Sequence, residues 1–154
     1  MPSEIQEAWA MTHDFDNRSL AYIDGGDQFI YKANSLKDFE VFGRIEVVEP
    51  GMNWLWYKPI LGLNEIEFVG NGKLWVNQYG ENHVYVIDVA SGEVVRKFDF
   101  GVLWDRADWL SMESRGRGLN DIEVMNGIAY DLDRGTIYLT GKYWRVLFEI
   151  ELVD

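Results

Sequence analysis

The chain restarts one pattern of short apolar segments three times, and this periodicity limits its fold more than any other feature. The first run goes from W-A-M-T-H-D at Trp9 through L-A-Y-I-D-G-G at Leu20 and F-I-Y-K-A at Phe29 to V-F-G-R-I-E-V at Val41. The second goes from L-N-E-I-E-F at Leu63 through L-W-V-N-Q-Y at Leu74 and H-V-Y-V-I-D at His83 to V-V-R-K-F-D-F at Val94. The third runs from M-N-G-I-A-Y-D at Met125 through I-Y-L-T-G-K at Ile137 to L-F-E-I-E-L at Leu147. The segments are rich in Val, Ile, Tyr, Phe and Trp, and turn text such as V-G-N-G-K and L-D-R-G-T separates them. That is how consecutive antiparallel strands joined by hairpins are written.

Short antiparallel strands grouped in units that repeat radially are the pattern of β-propeller blades. A repeated sandwich is the alternative, but sandwich strands need not restart on the same motif. The expectation is therefore a single all-β domain over 1–154, a β-propeller-type repeat of about three blades, making a partial propeller. The blade-like units are 7–48, 63–100 and 125–154, with insertions at 49–62 and 101–118. Within the second insertion W-D-R-A-D-W-L-S-M-E, starting at Trp104, has the spacing of a short helix. Insertions of this kind either rim a central site or decorate the surface. L-N-D-I-E, Leu119 to Glu123, echoes L-N-E-I-E without an evident role.

The third unit has text for three strands, and propellers typically close with about four to eight blades. M-P-S-E-I-Q-E at the N-terminus offers a stub for the last blade. Open sheet edges have to be covered. The chain is thus expected to form a homo-oligomer, with two copies in a head-to-tail ring, or to be a subunit of a larger complex.

Composition removes several classes of function. Net charge is −12, which repels phosphate backbones and argues against nucleic acid. The apolar stretch from Trp54 is broken by Lys58 and Pro59, too short for membrane insertion. The N-terminus shows no basic segment followed by an apolar run. The expectation is a soluble chain, cytoplasmic or the mature form of an exported one. With no cysteine, and with His13 and His83 far apart in sequence and without acids at ligand spacing, neither a metal site nor a cofactor is expected.

The restart motifs E-A-W-A-M-T, L-N-E-I-E-F and M-N-G-I-A-Y-D, together with T-G-K-Y-W-R-V-L-F-E-I, resemble the plant and bacterial type of glutaminyl cyclase, the glutamine cyclotransferase family. The resemblance implies a five-bladed propeller that converts an N-terminal glutamine of a peptide to pyroglutamate, releasing ammonia. It implies that this chain matches the last three of five blades, and that the family's glutamate, on an earlier blade, has no counterpart. It also implies substrate-binding roles at the central mouth. Trp9 matches the tryptophan of E-G-W-G-L, Asn64 the asparagine of L-N-E-L-E, and Lys142 and Trp144 the lysine and tryptophan of T-G-K-x-W-P. Tyr79 stands where A-N-V-W has its tryptophan, and Asn126 opens the last unit.

Cyclisation requires a neutral amine to attack an amide carbon, a group that moves protons, and donors for the oxyanion. Asn64 and Lys142 are the candidate catalytic donors. Glu7, two residues from Trp9 and so on the same face of an extended chain, is the candidate acid/base. By the same alternation Glu65 points away from Asn64. The competing structural readings are that Asn64 and Asn126 cap turns, that Trp9 packs between blades, and that Lys142 lies against an aromatic ring. Three functions follow: an active cyclotransferase taking an N-terminal Gln peptide, a silent scaffold or assembly subunit, and a peptide or small-ligand binding module.

Overall fold

The computed structural model describes residues 5, 7–51, 57–107 and 124–151. The strands are antiparallel throughout their sheets. Sheet 1 is β1 (Met11–His13), β2 (Leu20–Asp24), β3 (Phe29–Asn34) and β4 (Glu40–Glu46), in chain order. A ribbon of β5 (Val48–Pro50) and β6 (Tyr57–Pro59) follows. Sheet 2 is β7 (Leu63–Gly70), β8 (Lys73–Gln78), β9 (His83–Asp88) and β10 (Val94–Asp99), again laid side by side in order. Sheet 3 has three strands, β11 (Met125–Asp131), β12 (Thr136–Gly141) and β13 (Phe148–Ile150). The described strands thus form three larger sheets and a two-stranded ribbon, an arrangement consistent with an incomplete propeller.

Sheet 2 lies between the other two. On β8 and β9, Leu74, Val76, Tyr85 and Ile87 join Tyr22, Ile30 and Ile45 of sheet 1 in one core. Trp75, Val84 and Val86 face the other way and pack with Met125, Ile128, Ile137 and Leu139 of sheet 3. A sheet covered on both faces has no polar side to alternate with, so L-W-V and V-Y-V-I read as unbroken apolar runs. In the outer strand β10 burial fades to exposed Val95, Arg96 and Lys97.

The first strands β1, β7 and β11 gather at the centre. The Thr12 hydroxyl donates to Glu67 Oε2 at 2.8 Å and accepts from the Phe68 N–H at 3.0 Å. The Tyr130 N–H donates to the other Glu67 oxygen at 3.0 Å. One side chain on β7 therefore ties all three sheets together.

The insertions resolve differently from one another. The β5–β6 ribbon docks on the outer side of sheet 2, where the Val48 N–H donates to Gly92 O and Val48 bridges Glu93. Only its exit turns inward: the Tyr79 N–H donates to Gly62 O and Gln78 Nε2 to Leu61 O. The second insertion begins helical over residues 101–107; the rest of the expected helix and the L-N-D-I-E echo lie outside the described residues. Ile5 packs on sheet 1 with Ile23, Tyr31 and Ala33, so this part of the N-terminal segment covers the first sheet rather than completing the third. No helix among the described residues is long and apolar enough to cross a membrane.

Candidate functional site

The strand register superimposes the three units. Met11 pairs with Ile23, Ile66 with Val76 and Ile128 with Leu139. Counting from these pairs, Trp9, Asn64 and Asn126 occupy one position at the start of the first strand. Asp24, Asn77 and Thr140 share a position at the end of the second strand, and Gly26, Tyr79 and Lys142 share one just beyond it. Five of the seven predicted site residues thus sit at equivalent places at one end of the sheets.

Trp9 and Tyr79 meet there edge to face, with ring centroids 5.4 Å apart and both rings about half exposed. The Trp9 indole N–H donates to Glu7 Oε2 at 3.0 Å, so Glu7 and Trp9 do share a face, as alternation requires. Gly26 borders both, at a φ of 71° that a side chain rarely adopts.

Asn64 is fully buried, and neither its amide nitrogen nor its amide oxygen has a hydrogen-bond partner. This corrects the turn-cap reading of Asn64, because a cap bonds nearby backbone. From Asn64 to Gly70 burial alternates strictly, with Glu65 half-buried beside buried Asn64. Strand β7 carries an extra residue between Leu63 and Ile66, a β-bulge that leaves Leu63 and Asn64 buried in succession. Bulges re-aim side chains and are over-represented next to active sites. Strand β11 has the same irregularity between Met125 and Ile128, at half-buried Asn126 and at Gly127.

Lys142 is exposed at the tip of a tight turn. Its N–H donates to Val124 O, Tyr143 takes a left-handed φ of 59°, and the Trp144 N–H returns to Gly141 O. The turn folds the Trp144 ring onto Gly141, where only a glycine leaves room. Trp144 is therefore 9% exposed and part of the core between sheets 2 and 3, with Phe148 against its edge. The run T-G-K-Y-W reads as a device that buries its tryptophan and presents its lysine.

A carboxylate and an amide, Asp24 and Asn77, escaped the sequence reading. Asp24 accepts from the N–H groups of Gly26 at 2.6 Å, Ala10 at 2.8 Å and Trp9 at 3.2 Å, fixing the backbone that carries the Trp9 ring. Asn77 performs the same service in sheet 2: its Oδ1 accepts from the Glu65 N–H at 2.7 Å, and its Nδ2 donates to Met125 O at 2.6 Å. The shared ending of A-Y-I-D and L-W-V-N was the available signal. Burial pushes the Asp24 carboxyl up to about 6, against those three donors, and the Glu65 charge adds to the push. Burial raises Glu65 as well, helped by the Glu67 charge. Burial also raises Glu67, while its bonds from Thr12 and Tyr130 pull it back. Carboxylates shifted upward in this way hold and release protons closer to neutral pH. A depression of about 370 Å³ opens beside Glu67 between the first strands, lined in part by Thr12, His13, Phe15 and Tyr130.

The family described as Glutamine cyclotransferase matches residues 2–152. The chain belongs to the glutamine cyclotransferase family. It is 30% identical over 95 residues to the Glutaminyl-peptide cyclotransferase of Arabidopsis thaliana, an alignment that takes in 58% of this chain and 26% of that protein. The crystal structure of Myxococcus xanthus Glutaminyl Cyclase superimposes with a TM-score of 0.76 at 28% identity, over 96% of this chain and 57% of that one. The chain thus spans less than two thirds of the length of either relative. The WD40 domain of Toxoplasma gondii coronin, at 10% identity and a TM-score of 0.53, shares the fold alone.

Proposed function

We propose that this chain carries a glutaminyl-peptide cyclotransferase site, which takes the N-terminal glutamine of a peptide and closes it to pyroglutamate with release of ammonia. The observation that carries the reading is the Trp9–Tyr79 pair at the end of the sheets where Asn64 is buried without a partner. In this reading the two rings and Glu7 form the wall against which the glutamine packs, with Asn126 on the far side. The Asn64 amide N–H and the Lys142 ammonium stabilise the oxyanion that forms when the amine attacks the amide carbon. Trp144 binds no substrate directly and acts by holding the Gly141–Lys142 turn. Coverage of 57% of the Myxococcus xanthus structure supports a chain that holds three of five family blades. A second copy or a companion chain then covers the outer faces of sheets 1 and 3.

A second reading is a non-catalytic module that keeps the aromatic wall for peptide binding or acts as an assembly subunit. The partial span of its relatives favours it.

Two measurements on the purified chain test these readings. One is light scattering, where a dimer at micromolar concentration supports the ring and a clean monomer removes it. The other is ammonia release from a peptide with an N-terminal glutamine, followed alongside binding of that peptide by the part of the tryptophan quenching that Trp9→Phe removes. Binding with turnover supports the cyclotransferase, binding alone supports the peptide-binding module, and neither overturns both and leaves the assembly subunit.

A further inference from the structure

Sheets 1 and 2 and sheets 2 and 3 are joined by the same device. In sheet 1 the Thr12 hydroxyl accepts the Phe68 N–H of sheet 2 at 3.0 Å. In sheet 2 the Glu67 carboxylate accepts the Tyr130 N–H of sheet 3 at 3.0 Å. Thr12 and Glu67 hold one position on their strands, and Phe68 and Tyr130 hold the next. The residue paired with each acceptor on the second strand is a large aromatic, and it enters the same joint. Tyr22 packs with Ile66 and Val76 of sheet 2, and Trp75 with Ile128 and Leu139 of sheet 3. Each joint thus takes an acceptor and an aromatic from the inserting sheet. The receiving sheet supplies a backbone N–H and two apolar side chains.

Sheet 1 carries the receiving half of a third joint. Met11 and Ile23 stand where Ile66 and Val76 stand in sheet 2. With Trp9 and Phe39 they line a groove of about 450 Å³. Met11 is 54% exposed, whereas Ile66 at the same place is 2% exposed. The Asp24 N–H donates to Ala10 O and the Asp14 N–H to Leu20 O, so alternation along the β1–β2 ladder turns the intervening His13 N–H away from β2. His13 holds the position of Phe68 and Tyr130. Ile5 and Ala8 pack over Ile23, Tyr31 and Ala33. The part left open, beside β1, is the part that an inserting sheet's first two strands fill.

Sheet 3 lacks the inserting half. Ala129 stands where Thr12 and Glu67 stand, exposed and with no side-chain acceptor. Tyr138 holds the aromatic position, but its hydroxyl accepts from Arg134 at 2.8 Å, and Arg134 pairs with Glu149 at 2.9 Å. Glu149 lies opposite Tyr138, whereas apolar Val86 lies opposite Trp75 in sheet 2. Docking this face would strip water from an ion pair, at a cost that the pair's own attraction does not reliably return. A second copy of this chain is therefore a poor occupant of the groove.

We propose that the groove at Met11 and Ile23 receives a sheet of the same repeat carried by a different polypeptide. The first strand of that sheet offers a hydroxyl, carboxylate or amide oxygen at the position of Thr12, and its second strand an aromatic at the position of Tyr22. The oxygen accepts the His13 N–H, and the aromatic fills the groove against Met11 and Ile23. The inference rests on the covered sheet faces of the reading above and selects the companion chain over the second copy. It holds whether or not the site turns over.

The test installs the missing half on the chain itself. Ala129→Thr copies Thr12, and Glu149→Val copies Val86 and removes the ion pair beside Tyr138. Light scattering gives the mass of the full-length wild type and variants, and melting temperature checks that each is folded. Wild type and Met11→Asp are expected to have the same mass. The double variant Ala129→Thr, Glu149→Val is expected to shift to a dimer or larger, and adding Met11→Asp to it should restore the wild-type mass. If Met11→Asp lowers the mass of the wild-type chain, a second copy fills the groove and the inference falls. It falls equally if the folded double variant keeps the wild-type mass, since the groove then does not receive a sheet of this chemistry. Should the double variant not fold, Ala129→Ser with Glu149→Ala replaces it and is read in the same way. A wild type that releases no ammonia removes the cyclotransferase reading and leaves this joint standing.

Discussion

The Thr12 hydroxyl and the Glu67 carboxylate meet at 2.8 Å across the seam of sheets 1 and 2, and the same carboxylate holds the Tyr130 N–H of sheet 3. A hydrogen bond to a charged group contributes more than a neutral one. This one joins strands brought together by folding, its partners 55 positions apart in sequence.

Removing the hydroxyl should therefore loosen the assembly of sheets. Thr12→Val strips Glu67 of one of its two donors and leaves the Phe68 N–H without an acceptor, at a cost of about 1–3 kcal/mol. Thr12→Ser keeps both bonds and should cost clearly less. Urea unfolding of the two variants checks this; equal losses would assign the effect to the methyl group instead.

Asp24 should make stability depend on pH. Its carboxyl is raised from 3.8 to about 6 by burial, so the folded state holds its proton more tightly than the unfolded one. The stability it confers is complete below about pH 4 and is lost as pH rises through about 6. Glu65 and Glu67 are raised too and push in the same direction. Asp24→Asn places in sheet 1 the residue that sheet 2 has at Asn77, and it should flatten the fall in stability between about pH 4 and 6. Melting temperatures at pH 5 and 7 decide it, and a slope unchanged by the substitution would count against Asp24 as its source.

At Asn64 stability and function should move in opposite directions. A buried amide without partners carries an uncompensated desolvation cost of about 1–3 kcal/mol. Asn64→Leu fills the same space without that cost. The variant is expected to melt at or above the wild-type temperature while losing peptide binding. A marked fall in melting temperature would move Asn64 into the structural column.

Gly141→Ala should disturb both core and site. A Cβ there runs into the Trp144 ring, so the ring must leave its place between sheets 2 and 3. Overpacking of this kind costs about 1–3 kcal/mol. The Lys142 turn moves with the ring, so peptide affinity should fall together with melting temperature. Near-ultraviolet circular dichroism reports the indole directly, and an unchanged spectrum would contradict the proposed packing.

The strands were legible in the sequence because they are local. Alternation in L-N-E-I-E-F, apolar runs in L-W-V and turn residues in V-G-N-G-K and V-A-S-G-E each declare themselves within a few residues. The restart of these motifs was enough to separate the three units, and Trp9, Asn64, Tyr79, Asn126 and Lys142 lie at equivalent places because equivalent text precedes them. The site was less legible wherever its geometry depends on pairing. The bulge between Leu63 and Ile66 exists only relative to β8, so alternation along β7 alone does not foresee Leu63 and Asn64 buried in succession.

The sequence by itself determined the all-β repeat, the order of its strands and which residues open each unit, since periodicity and turn chemistry act over short stretches of chain. Tertiary structure decided the rest. It turned Trp144 into core through a left-handed Tyr143, and it set Trp9 edge to face with Tyr79. It gave Asp24 and Glu67 their partners, the Glu67 carboxylate reaching Tyr130 across 63 residues. A carboxylate's burial and its donors are properties of the space around it, and that space forms only when the sheets pack.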